Sequence, residues 1–215
     1  MPTAATSTDE VTTRSPLVYP GVALAGGLLV GMATSVAQGL LPGILHSLAN
    51  SSGSWSLIAF LLAMLCPRPR VAAVMGVVTL LAMVAGYDVA SELRGYATSL
   101  ASSAFWLVAA VVVGPFLGLG GNAVRTRSRM APAAIGAISG VLVGEGVYGL
   151  TVIADTTSPE YWWASIAVGV GVPAWAVVRR FPWVRPALVA VGTTALVAGG
   201  FVVAYTAAPL VLLAI

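Results

Sequence analysis

Residues 67–90 read PRPRVAAVMGVVTLLAMVAGYDVA. Two prolines and two arginines interrupt whatever precedes them, and from residue 71 to residue 90 nearly every side chain is apolar. A helix needs roughly 20 such residues to cross a hydrocarbon core about 30 Å thick. A helix that is apolar all round belongs either in the core of a large protein or in a bilayer. With arginines just before it and Asp88 near its end, this stretch reads as a membrane-spanning helix.

The rest of the chain repeats the pattern. It is 59% hydrophobic and 8% charged, with a mean hydropathy of +0.97. Soluble domains carry about 25% charged residues, so an aqueous fold could not cover its own surface here. About seven spans of some 20 residues each would use about 140 residues and leave short loops. The expected fold is therefore all-α, a polytopic transmembrane helix bundle of seven or six spans. Residues 17–215 form the single transmembrane domain, and the polar residues 1–16 a disordered cytoplasmic tail. A cleaved signal peptide ending at Ser35-Val36-Ala37 is the competing reading. Asp9 and Glu10 ahead of the first apolar run, and the length of that run, argue against it.

The expected spans are 17–38, 54–66, 71–90, 102–122, 132–154, 161–178 and 186–215. The second is too short to cross unaided, at about 1.5 Å per residue. It must draw on residues 39–53, which read as an interfacial or re-entrant helix and turn, or else thin the bilayer. Pro115 predicts a kink in the fourth span. The last run exceeds one span and could tilt, break near Gly199-Gly200 or Pro209, or end in an interfacial piece.

All ten basic residues are arginine. With this alternation Arg14, Arg68, Arg70, Arg125, Arg127, Arg129, Arg179, Arg180 and Arg185 fall on one side and Arg94 on the other, with Asp88, Glu92, Asp155 and Glu160. Positively charged short loops stay in the cytoplasm. The sequence thus predicts a multi-pass protein of the cell membrane with its N-terminus inside and, for seven spans, its C-terminus outside.

Several chemistries find no footing. The arginines form no basic stripe interleaved with aromatics, so no nucleic-acid partner is expected. Cys66 is the sole cysteine, which removes disulfide frameworks and CxxC motifs. No GxxxxGK[ST] or GxSxG motif is present, and a lone histidine gives neither HExxH nor a zinc set. No metal, cofactor or enzyme activity is expected.

Glu145 is the sharpest candidate. It lies within the fifth span, where a carboxylate costs about 2.5–3.5 kcal/mol on insertion scales. It must face a cavity, find a partner or hold its proton, which makes it a candidate proton or ligand site with Gln38, Tyr87 and Trp106. His46 and Asn50, four residues apart, join Asp88, Glu92 and Arg94 as a candidate outer mouth. Asp88 and Glu92 share a helix face if the third helix reaches that far, and Arg94 or a cation could offset their repulsion. The bland readings are a structural carboxyl hydrogen-bonded to a neighbouring helix, solvated interfacial polarity, and ordinary aromatic anchors.

Glycines at four-residue spacing, Gly136, Gly140 and Gly144, let another helix approach closely; Gly27 with Gly31 and Gly114 with Gly118 repeat the spacing. Packing within the bundle is the favoured reading, and a partner membrane protein or a second copy of the chain the other. Besides these, the only partner implied is the lipid bilayer.

The run Leu48-Ala49-Asn50-Ser51 with Trp55 and Phe60, then Gly86-Tyr87, Leu93-Arg94-Gly95, Phe105-Trp106 and Glu145-Gly146, resembles a family of small bacterial polytopic membrane proteins known only as a domain of unknown function. The resemblance covers most of the chain after the tail, implies a bacterial cell membrane and assigns no activity. In layout the chain is more faintly similar to the substrate-binding subunits of energy-coupling-factor vitamin transporters. These typically have six helices, with a small-residue stripe on the first comparable to Gly27 and Gly31. The seventh apolar run departs from that plan.

Three functions follow as expectations. A transport component for a small molecule or ion would build a cavity around the candidate residues, and a Glu145 facing lipid or walled off by close packing would count heavily against it. A structural or accessory protein would turn its glycine stripes toward a partner. An intramembrane enzyme would need polar groups converging on Glu145 or His46.

Overall fold

The computed structural model describes residues 18–180 and 184–212. The tail at 1–16, with Arg14, and the last three residues of the final apolar run lie outside them. The described residues are all-α: α1 (Val18–Leu40), α2 (Gly43–His46), a 3-10 turn (Ser47–Asn50), α3 (Ser52–Ala63), α4 (Pro69–Leu93), α5 (Leu100–Arg125), α6 (Ala131–Thr151), α7 (Pro159–Arg180) and α8 (Val184–Leu212). Local chemistry sets the ends. Ser51 and Ser99 cap α3 and α5, accepting from the backbone N–H of Ser54 and Ser102. Proline in the first turn opens α4 and α6, where a missing N–H costs nothing. Gly95, at a φ of 82°, turns the chain out of α4 while the Tyr96 N–H returns to the Ser91 carbonyl.

Among the described residues, α1, α4, α5, α6 and α8 are long and apolar enough to cross a membrane. The 22-residue α7 has the length as well. The surface is inverted relative to a soluble protein: Phe116 is 73% and Leu196 76% exposed, while Ser35, Thr79 and Ser139 are buried. Large apolar side chains outside and small or polar ones inside suit lipid as the solvent.

Two parallel helix pairs organise the bundle. Gly27 lies on Thr79 and Ala82, and Gly31 on Met83 and Tyr87, so α1 and α4 run the same way. Gly136 lies on Ala190 and Thr193, Gly140 on Thr194 and Val197, and Gly144 on Ala198 and Phe201, making α6 and α8 parallel too. Gly114 and Gly118 receive Gly76, Val77 and Ala72 of the antiparallel α4. A Cβ at Gly31 would stand 2.0 Å from the Met83 carbonyl oxygen, and one at Gly136 2.3 Å from that of Ala190. Only glycine permits these separations. All three stripes therefore pack against helices of the same chain.

Because α1 and α4 are parallel, residues 41–68 must carry the chain back through the bundle. They do so in pieces. The two short helical turns at 43–50 descend from the end of α1, and α3 completes the return. Its 12 residues span about 18 Å. In the same way α7 runs antiparallel to α6, with Gly146 and Gly149 on Trp162 and Gly169 on Ser139, and restores the direction for α8. The loops carrying Arg68 and Arg70 and Arg125, Arg127 and Arg129 gather at one end; those at 94–99 and 152–158 gather at the other.

The last apolar run does not break. α8 is continuous through Gly199, Gly200 and Pro209, since glycine keeps its backbone hydrogen bonds and a membrane-spanning helix tolerates such residues. Pro115 likewise sits inside an uninterrupted α5.

Candidate functional site

α3 starts inside the bundle, level with the middle of α6. Its first turn exposes backbone N–H groups that water would otherwise satisfy. Glu145 of α6 meets them. The Ser51 hydroxyl donates to Oε2 at 2.7 Å, and the Gly53 N–H donates to Oε1 at 3.1 Å. Ser51 Oγ in turn accepts from the Ser54 N–H at 2.9 Å. A Cβ at Gly53 would meet Oε2 at 2.5 Å and Leu142 at 3.0 Å, so glycine is what lets the carboxyl reach the helix end. The positive pole of a helix N-terminus favours an acidic group there. Glu145 is 4% exposed, enclosed by these partners.

On the far side of Ser51 and Ser52 lies a cavity of about 940 Å³. It is walled by α1, α3, α4, α5 and α8 and reaches the 94–99 loop. Gln38, Tyr87, Trp106, His46, Asn50, Asp88 and Arg94 all line it. The structure thus brings together seven of the residues singled out from sequence. Glu145 and Glu92 stand apart. Glu145 is sealed behind Ser51, and Glu92 accepts from Thr98 Oγ1 at 3.2 Å.

A hydrogen-bonded chain shapes the wall. The Tyr87 hydroxyl donates to Gln38 Oε1 at 3.0 Å, and Gln38 Nε2 donates to the Ala49 carbonyl at 3.3 Å. Trp55 Nε1 donates to Thr34 Oγ1 at 3.2 Å, and its ring meets Tyr87 edge-on. Ser103 Oγ donates to Asp88 Oδ2 at 2.8 Å. Arg94 does not offset Asp88 and Glu92 as the sequence suggested. Its guanidinium donates instead to the carbonyl and hydroxyl of Ser35 on α1, and stacks 5.0 Å from the Tyr96 ring centroid. The reason is geometric: Arg94 closes α4 and points along it toward the neighbouring parallel helix, while the two acids reach the start of α5 and its preceding loop.

Sequence reasoning missed Thr34, Ser102, Ser103, Phe201 and Tyr205, which also line the cavity. Ser102-Ser103 did carry a signal, as two hydroxyls opening an otherwise apolar helix. Phe201 stacks on Tyr205, whose hydroxyl bonds to Ser52. Nothing local marks either aromatic, because only the packing of α8 on α6 brings them there. A second cavity of about 400 Å³ adjoins the first and shares Gln38, His46 and Asn50 with it. The 43–50 segment is the partition between them. No three His, Cys, Asp or Glu side chains converge as a metal set among the described residues.

Helices of this length and apolarity, arranged around a large cavity, define a multi-pass membrane protein. The chain belongs to a family of unknown function (DUF6518), whose model matches residues 10–210. No curated protein and no solved structure matches it, so the layout similarity to energy-coupling-factor subunits finds no support.

Proposed function

We propose that this protein is a binding component for transport of a small molecule across or into the cell membrane, with its cavity opening outside and the arginine loops in the cytoplasm. The cavity carries the proposal. Ligand chambers run to about 300–1,000 Å³, mostly apolar with a few fixed polar groups, and this one matches in size, aromatic lining and polar groups. Trp106 and Tyr87 supply surfaces for a ligand, while Asp88 and Arg94 supply charge at the mouth. Binding, rather than bond-making, suits this lining. Glu145, the carboxyl expected to face the cavity, is walled off from it and counts against a coupling role; it holds Ser51, which lines the cavity.

The test is ligand-dependent stabilisation of the purified protein, screened over pools of small solutes and amphiphiles. At least one pool should raise the unfolding temperature of the wild type, and Trp106→Ala with Asp88→Asn should abolish that response while leaving the unliganded transition in place. A screen in which every pool shifts the wild type and the double variant equally would defeat the proposal.

A further inference from the structure

The cavity changes character with depth on both helices that line it over several turns. On α4 the lining runs from Arg94, Ser91 and Asp88 at the loop end to Val84 and Leu80 within. On α5 it runs from Ser99, Ser102 and Ser103 through Phe105 and Trp106 to Ala109, Ala110 and Val113. From Trp106 to Val113 the apolar part measures about 10 Å along the helix axis. The opposite wall, at Val197 and Gly200 of α8, offers no polar side chain. Hydroxyls reach the chamber from α3, at Ser52 and Ser56, but a wholly polar solute would find no side-chain partner along the wall of Ala109, Ala110, Val113, Val197 and Gly200.

The chamber is also unsealed on one side. α5 and α8 flank it but do not pack on each other as α4 and α5 or α6 and α8 do. Val113, Gly200 and Ala204 line the cavity and are exposed at once. In a bilayer that gap faces acyl chains.

Resting on the binding reading above, we propose that the ligand is a membrane-resident amphiphile: one apolar chain lies between α5 and α8, reached sideways from the bilayer, and a charged head sits at Asp88 and Arg94. Those residues offer one charge of each sign, which matches a zwitterionic head. A chain leaving lipid for an apolar wall gains little hydrophobic free energy, so the head and the shape of the slot supply selectivity.

Gly200 makes a clean test. A Cβ there meets nothing within 4 Å, so a large side chain fills the cavity without striking a helix; Gly199 is equally free but does not line it. The full-length protein in lipid nanodiscs is labelled with lysophosphatidylethanolamine carrying a mid-chain diazirine, and adducts are mapped by mass spectrometry. Saturable labelling at residues 106–113 and 197–204 is expected, competed by unlabelled lysophosphatidylethanolamine. Gly200→Trp should lower it about tenfold, because the indole occupies the slot that the chain would take, and Gly199→Trp should leave it unchanged. Diffuse, unsaturable labelling over the lipid-facing surface, or equal labelling of Gly200→Trp, overturns the inference. Stabilisation by glycerophosphoethanolamine alone, without such labelling, overturns the amphiphile while leaving the binding cavity standing.

Discussion

Ser51 donates its hydroxyl to Glu145 across 2.7 Å, joining the start of α3 to the interior of α6 over 94 positions of sequence. The same serine caps its own helix. One side chain thus fixes where a short helix begins and which neighbour it leans on.

Both Glu145 oxygens accept hydrogen bonds. Glu145→Ala strands the Ser51 hydroxyl and the Gly53 N–H in a water-poor interior, and should cost about 2 kcal/mol of stability. Glu145→Gln keeps one acceptor but sets an NH₂ against a donor, and should fall between that variant and the wild type. Unfolding in mixed micelles by graded SDS measures the order. A fully native Glu145→Ala would show the carboxyl to be idle.

The glycine contacts predict a position-dependent response to a single methyl group. Gly31→Ala drives a Cβ into the Met83 carbonyl and should destabilise by about 1–3 kcal/mol, the usual penalty for overpacking. Gly192→Ala faces open space and should change stability by less than about 0.5 kcal/mol. The same SDS titration separates them.

Topology is open to labelling because Cys66 is buried and silent. In intact cells, a membrane-impermeant maleimide should modify Ala154→Cys and spare Ser128→Cys until the membrane is opened. Labelling of both from outside would refute the arrangement of the arginine loops.

Arg94→Lys keeps the charge but not the planar fork that reaches Ser35. Loss of that contact should loosen the mouth, seen as about tenfold weaker binding of the stabilising ligand, with the unliganded transition moved by no more than about 1 kcal/mol. An affinity equal to the wild type would place Arg94 outside recognition.

Much of the fold was legible in the sequence because hydrophobic run length is a local property. Residues 71–90 lie inside α4, residues 102–122 inside α5, and α6 opens at Ala131-Pro132. The shortness of residues 54–66 pointed back to 39–53, where two short helical turns precede α3. The partner of Glu145 was not legible: its cost in lipid marked it as needing one, but Ser51 and Gly53 carry no complementary signature. Asp88 and Glu92 share a helix, yet only the path of the 94–99 loop gives them separate partners in Ser103 and Thr98. The chamber itself depends on α5 and α8 standing apart, a relation between distant segments that no periodicity encodes.

The parallel pairing of α1 with α4 and of α6 with α8 also dictates an order of biogenesis. A nascent chain that has delivered only α1 to the bilayer holds a glycine groove with no occupant until α4 emerges from the ribosome. The same wait separates α6 from α8. Until α6 arrives, the Gly53 N–H and the Ser51 hydroxyl lack their acceptor, so the opening turn of α3 is completed by a helix synthesised about 80 residues later.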